Sequence, residues 1–262
     1  MTMRPWKLEE TSYGQVRGVE YEVAVVPLGA TEPHNLHLPY GTDSFEAKAV
    51  GDRICAEAHA RGAKVIMLPV IPYGTETNMR RLPLAINIDP STLNAVVTDV
   101  VGSLAQSGLR KIVILNSHGG NDLKPLLREL YGRTSAHLFL CDWYRILGAG
   151  DVDIFDEPED HAGEMETSLA LACFPDLVDR GPDGSITADE GRKTPMRFEA
   201  LNEGWVSITR AWHLLTTNSG AGNPHAASAD KGERALKLLE DRLAKFLVEL
   251  SDADVDDRFP FQ

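Results

Sequence analysis

The sequence predicts an α/β fold: a mainly parallel central sheet between two layers of helices. Three observations predict it. Four short apolar runs, Glu22–Leu28, Ala63–Pro69, Lys111–Leu115 and Ala136–Cys141, read as buried strands. Segments of helical period alternate with them, as parallel strands require for their crossovers. Chain-breaking, polar residues follow the runs at Gly29 and at Asn116, where a doubly covered sheet places its binding loops.

The elements follow in order. Residues 6–20 are polar and mixed, suiting a short helix with a turn at Gly14. Beyond the first strand, Ser44–Ala60 reads as a helix stopped by Gly62. The second strand leads into the loop 72–78 and an extended piece at Leu84–Ile88. Asp89-Pro90-Ser91 opens a helix whose Leu93, Val96, Val97, Val100, Val101 and Leu104 keep the helical period, and Gly108 ends it. After the third strand, Leu123, Leu126, Leu127, Leu130 and Tyr131 mark another helix. The acidic run 151–160 is expected to be a solvated loop. Residues 161–168 open the apolar helix Leu169–Phe174, and 179–200 are loop-like. Trp205–Ala211 alternates like an edge strand, 216–224 is a Gly/Asn/Ser loop, and 230–250 is a closing helix. No repeat or linker divides the chain, so residues 1–262 are expected to form one domain.

Composition excludes several function classes. A net charge of -13 disfavours nucleic acid and anionic membrane surfaces, and no window has the run of about 20 apolar residues that a membrane helix needs. Cys55, Cys141 and Cys173 are odd in number and widely spaced, as expected of reduced thiols in a cytoplasmic protein. There is no G-x-G-x-x-G after the first strand and no G-x-x-x-x-G-K-[ST], which weakens a nucleotide-binding or other non-catalytic ligand-binding reading.

The chemistry gathers beyond the strands. The loop after the first strand carries Glu32, His34, His37 and Asp43; Glu32 and His34 share a side if that segment is extended. His118 closes the third strand, and Glu164 and Glu166 head a later helix. Each residue alone has a plain structural use; Asp43 would serve as a helix cap and Gly119-Gly120 as a turn. Together, carboxylates and imidazoles from three loops suit borderline divalent ions such as Zn²⁺ or Mn²⁺ better than Ca²⁺. A carboxylate can bridge two such ions.

Four stretches carry a resemblance: Glu32-Pro33-His34-Asn35-Leu36-His37-Leu38-Pro39, Thr42-Asp43, Asn116-Ser117-His118-Gly119-Gly120-Asn121 and His161-Ala162-Gly163-Glu164-Met165-Glu166-Thr167-Ser168. They resemble the creatininase (creatinine amidohydrolase) family, and the tail around Ser219–Pro224 fits as well. The resemblance implies a creatininase-like three-layer fold, two divalent ions (Zn²⁺ and/or Mn²⁺, with Fe²⁺ a third candidate) and a homo-hexamer. It implies Glu32 and His118 as ligands of one ion, His34 as a ligand of the other, Asp43 as the bridge and His161 as the catalytic histidine. The expected reaction is hydrolysis of a C–N bond other than a peptide bond, in a cyclic amide or formamide of a small molecule.

Three departures shape the expectation. True creatininases have a Tyr-Glu pair where this chain has Gly119-Gly120, and that Glu is a ligand. Glu166, with Glu164 second, is expected to replace it; Glu164 is otherwise expected to take part in catalysis beside His161. The family's His-Gly is His34-Asn35 here, and no aromatic residue that would pack on creatinine is evident near His161. These departures turn the expectation away from creatinine, although true creatinine hydrolysis is the alternative. Gly-Gly relatives include deformylases and a peptide-trimming enzyme.

Overall fold

In a computed structural model of the chain, which describes residues 4–149 and 152–261, four strands form one parallel sheet. They are β1 (Val23–Leu28), β2 (Val65–Met67), β3 (Lys111–Asn116) and β4 (His137–Asp142), in spatial order β2-β1-β3-β4. Five principal helices cover the sheet: α1 (Thr42–Ala60), α2 (Pro90–Gln106), α3 (Lys124–Leu130), α4 (Glu164–Cys173) and α5 (Ala229–Asp252).

The strand side chains alternate between two cores. Val23, Val25, Val113 and Leu115 point to one face and pack with Val50 and Ile54 of α1, Leu169 of α4 and the Leu236, Leu239, Leu243 and Leu247 stripe of α5. Ala24, Val26, Ile112 and Ile114 point to the other, against Leu93, Val97 and Val101 of α2 and Leu126 and Leu130 of α3. Because both faces are covered, β1 and β3 are apolar at almost every position, which is why they read as continuous runs.

Chain order reverses between β1 and β3: β1 leads to β2 on one side and has β3 on the other. Such a switch point opens a crevice at the carboxyl ends of the strands. Register places Leu28 opposite Asn116, and the Ser117 N–H donates to the Leu28 carbonyl at 2.9 Å. The loops 29–41 and 117–121 therefore leave the sheet side by side. Gly29 lets α1 cross closely, since a Cβ there would stand 2.7 Å from the backbone nitrogen of Ser44.

Two expectations need correction. Residues 205–211 form no strand; Trp205, Val206 and Ile208 are exposed, so their alternation has no buried face to serve. The acidic segment, whose Asp151 lies outside the described residues, is not simply solvated: Glu159 and Asp160 turn into the crevice above the sheet. Among the described residues no helix is long and apolar enough to cross a membrane.

Candidate metal centre

The crevice holds a buried cluster. Asp43 sits in the first turn of α1, with Gly41 rather than its own side chain in the capping position. Its carboxylate is thereby free to turn inward, and a negative charge suits that helix end. Asp43 Oδ1 lies 3.2 Å from His34 Nε2, and Asp43 Oδ2 lies 3.2 Å from His118 Nδ1. Glu32 Oε1 is 3.1 Å from the same His118 nitrogen and 3.9 Å from His34 Nε2. Glu166 Oε2, from the first turn of α4, is 3.9 Å from both His34 Nε2 and His161 Nδ1.

The imidazoles are oriented by their outer nitrogens. His34 Nδ1 donates to the Glu32 carbonyl at 3.0 Å, so Nε2 faces the carboxylates. His118 Nε2 donates to the Thr75 carbonyl at 3.3 Å, so Nδ1 faces Glu32 and Asp43. His161 Nε2 donates to the Pro33 carbonyl at 2.9 Å, leaving Nδ1 pointing into the cluster. Each tautomer is assigned from these partners. In the neutral rings the inward nitrogens of His34 and His118 would set lone pairs against carboxylate oxygens, so either a cation or a second ring proton must lie between them.

Asn35 takes a left-handed backbone (φ 55), a conformation Asn tolerates better than most residues. Ser219 and the Asp189 carbonyl hold it at 2.9 and 3.0 Å, which fixes the turn that presents His34.

The electrostatics agree. Burial pushes the His34 and His118 imidazoles down, yet the carboxylates lift both well above the ordinary histidine value: chiefly Asp43 for His34, and Glu32 and Glu76 for His118. Burial pushes Glu32 up, while His34 and His118 hold Asp43 well below the carboxylate range against its burial. Burial, then the nearby His34, lowers His161, so its Nδ1 is a free acceptor at neutral pH. Glu32 Oε2 and Glu46 Oε1 are buried and meet no hydrogen-bond donor among the described residues. A divalent cation would satisfy the Glu32 oxygen. Three overlapping groups bring ligand atoms close enough to share an ion: Glu32, Glu76 and His118; His34, Asp43 and Glu166; and Glu32, His34 and His161.

Of the residues singled out in the sequence, Glu32, His34, Asp43, His118, His161 and Glu166 converge. Glu164 does not. Its oxygens accept from the Asp156 and Glu157 N–H groups at 2.8 and 2.7 Å and from the Lys231 ammonium, away from the cluster. Two helical residues two positions apart point about 200° from one another, so only one of Glu164 and Glu166 can face the crevice. His37 also points elsewhere, its Nε2 2.8 Å from Thr167 Oγ1.

Several wall residues escaped the sequence reading. Glu76 Oε1 lies 2.7 Å from His118 Nε2. It leaves the carboxyl edge of the sheet in the loop after β2, and that position in the topology is the signal that could have found it. A Cβ at Gly120 would stand 2.3 Å from His118 Nε2 and 2.4 Å from the Thr75 carbonyl, so no side chain fits there. The space that a carboxylate at position 120 would need is taken by the 75–76 loop. Glu46, one turn after Asp43, faces the same cavity. Aromatic residues are present after all: Trp212 stands edge-on to His161 at 5.8 Å between ring centres, and Trp143 lines the cavity, whose volume is about 750 Å³.

The chain is similar to known proteins over most of its length. A peptidase of the mycofactocin precursor peptide from Mycobacterium tuberculosis (strain H37Rv) is 28% identical over 222 residues, covering 83% of this chain and 81% of the relative. A protein of Bacteroides fragilis NCTC 9343, solved as a candidate creatinine amidohydrolase, superposes with a TM-score of 0.87 at 33% identity, covering 97% of this chain and all of the other. A manganese form of creatininase shares the fold, with a TM-score of 0.71 at 22% identity over 95% of this chain and 99% of its own. The family model for creatinine amidohydrolase matches residues 9–247, and the chain belongs to the creatininase family.

Proposed function

We propose that this chain is a metal-dependent amidohydrolase, using two divalent ions, Zn²⁺ and/or Mn²⁺, with Fe²⁺ as a third candidate. One observation carries the reading: the two oxygens of Asp43 each lie 3.2 Å from a different imidazole, His34 and His118, as a bridging carboxylate requires. Glu32, with His118, would hold one ion; His34 and Glu166 would hold the other. Bound ions would lower the pKa of water and polarise an amide carbonyl. The chain's own groups do the rest. Glu32 and Glu166 flank the reacting position, and His161 Nδ1, neutral and aimed inward, accepts the proton that the water gives up. His161 then delivers that proton to the departing nitrogen as the C–N bond breaks, leaving an amine and a carboxylic acid that gives its proton to solvent. The Pro33 carbonyl holds the ring in the tautomer this shuttle needs.

The substrate class is a small molecule with a cyclic amide or formamide. A short peptide is the second reading, favoured by the relative named as a peptide peptidase. The net charge of -13 supports neither nucleic acid nor membrane as partner. The three unpaired cysteines suit a cytoplasmic setting. Phe198, Trp205, Val206, Ile208 and Leu214 are exposed together in sequence, an apolar segment that a homo-hexamer would cover. Metal analysis of protein purified without chelator tests the central claim, with cyclic amides, formamides and creatinine assayed under added Zn²⁺ or Mn²⁺. About two ions per chain and metal-dependent turnover are expected. Protein that binds neither metal when loaded would overturn the reading.

A further inference from the structure

The cavity wall is dominated by carboxylates, and Arg210 is its one lysine or arginine among the described residues. Its guanidinium is held from two sides. Nη1 donates to Asp160 Oδ2 at 2.7 Å, and Cζ stands 4.9 Å from the centre of the Trp212 ring. Trp212 is itself fixed, buried and donating its Nε1–H to the Ser219 carbonyl at 2.6 Å. Lys193 Nζ shares the same Asp160 oxygen at 3.2 Å, so two cations meet one carboxylate and one positive charge is left over. Burial pushes Asp160 up, but Arg210 and Lys193 outweigh it and keep the carboxylate ionised. The other edge of the guanidinium, Nε and Nη2, makes no hydrogen bond to the described residues.

The position of this charge matters. Two ring contacts, 5.8 Å from His161 to Trp212 and 4.9 Å from Trp212 to the guanidinium, connect it to the reacting end of the cavity. A solvated ion pair whose only task is stability needs neither an aromatic shelf nor a place on the cavity wall. We propose that Arg210 binds a carboxylate carried by the substrate away from the scissile amide, so that the enzyme acts on anionic amides. This rests on the metal-dependent hydrolase reading above. A guanidinium fork matches a carboxylate in two parallel hydrogen bonds. A phosphate dianion is disfavoured, because one unbalanced cation would face it across a cavity lined by Glu159, Asp160 and Glu166.

The test uses the full-length, Mn²⁺-loaded protein and probes with a metal-chelating head. These are the monohydroxamates of succinic, glutaric and adipic acids, each compared with the same molecule ending in a carboxamide, and acetohydroxamate as the tail-free control. Binding is read by calorimetry. For at least one chain length the acid should bind about 10-fold more tightly than its amide, and Arg210→Met should cut that preference to about 2-fold or less. Acetohydroxamate should bind both proteins alike, and Arg210→Lys should restore part of the preference. Equal binding of acid and amide at all three lengths, or a preference that survives Arg210→Met, overturns the proposal while leaving the metal reading intact. If no hydroxamate, acetohydroxamate included, binds the metal-loaded protein, the metal reading falls and takes this proposal with it.

Discussion

The Glu76 carboxylate lies 2.7 Å from Nε2 of His118 and beside the Glu32 carboxylate, while Nδ1 of the same ring faces Glu32 and Asp43. A negative charge there holds the ring proton on Nε2 and makes Nδ1 the more basic nitrogen. Partners of this kind set the tautomer and strengthen the imidazole as a ligand. Glu76→Gln keeps the shape and removes the charge. It should weaken metal binding by about 10–100-fold, read by competition with a chelator of known affinity, with the fold unchanged by circular dichroism.

Asp43→Asn should be more damaging. An amide offers one oxygen, so its NH₂ must face either His34 or His118, which lie 3.2 Å from opposite oxygens of the native carboxylate. Metal content should fall from two ions per chain to one or none, and hydrolysis should be lost. Elemental analysis beside a turnover assay checks both. A variant that keeps two ions would deny Asp43 its bridging place.

Much of this was legible in the chain because the parallel sheet announces itself. Strands buried on both faces need unbroken apolar runs, and β1 and β3 supply them. The edge rule for such sheets then indicated where His34, Asp43 and His118 would meet. What stayed hidden depends on contacts between segments that no spacing encodes. Glu76 approaches His118 only because Gly120 leaves room, and Trp212 reaches His161 from a loop some fifty positions away in sequence. Trp205–Ala211 misled because alternation says nothing of whether a second strand is there to receive it. The order of Glu166 before Glu164 as a ligand agrees with the phase of α4, but the part in catalysis expected of Glu164 does not, because that phase turns Glu164 away from the crevice.

That phase makes a prediction of its own. Glu164 is buried with its oxygens on two backbone N–H groups and Lys231, so Glu164→Gln should cost about 2–3 kcal/mol of stability, since Lys231 is partly exposed and can hydrate. Metal affinity should not change. Glu166→Gln should do the reverse, loosening the ion held with His34 and lowering stability little once metal is bound. Urea unfolding and chelator competition on the same pair of variants separate the two roles.

His161→Asn keeps a side chain of similar reach but cannot accept a proton. With His161 as the shuttle, kcat should fall by about 10²–10⁴-fold. Metal content should stay at two ions, because Glu32, His34, Asp43, His118 and Glu166 remain. If the metals were lost along with the activity, His161 would be a ligand instead, as its grouping with Glu32 and His34 allows.

His37 gives the protein a pH-dependent stability separate from turnover. It is buried against α4, with Nε2 2.8 Å from the Thr167 hydroxyl. Burial, followed by the charges of His34 and His225, lowers its pKa to about 4. In the unfolded chain the same group titrates near 6.5. Between those values the unfolded state binds the proton and the folded state does not, so stability is fully present above pH ~6.5 and falls as pH drops toward 4. For a shift of this size the loss reaches about 3 kcal/mol, levelling off once the folded form is protonated too. Other groups titrate in the same window, so the comparison is with His37→Gln, whose amide can still meet the Thr167 hydroxyl but carries no titrating proton. Urea unfolding of the metal-free proteins from pH 7.5 to 4 should show the wild type losing more stability than the variant, the gap opening below pH ~6.5. Parallel curves would mean that His37 is protonated as readily in the fold as outside it.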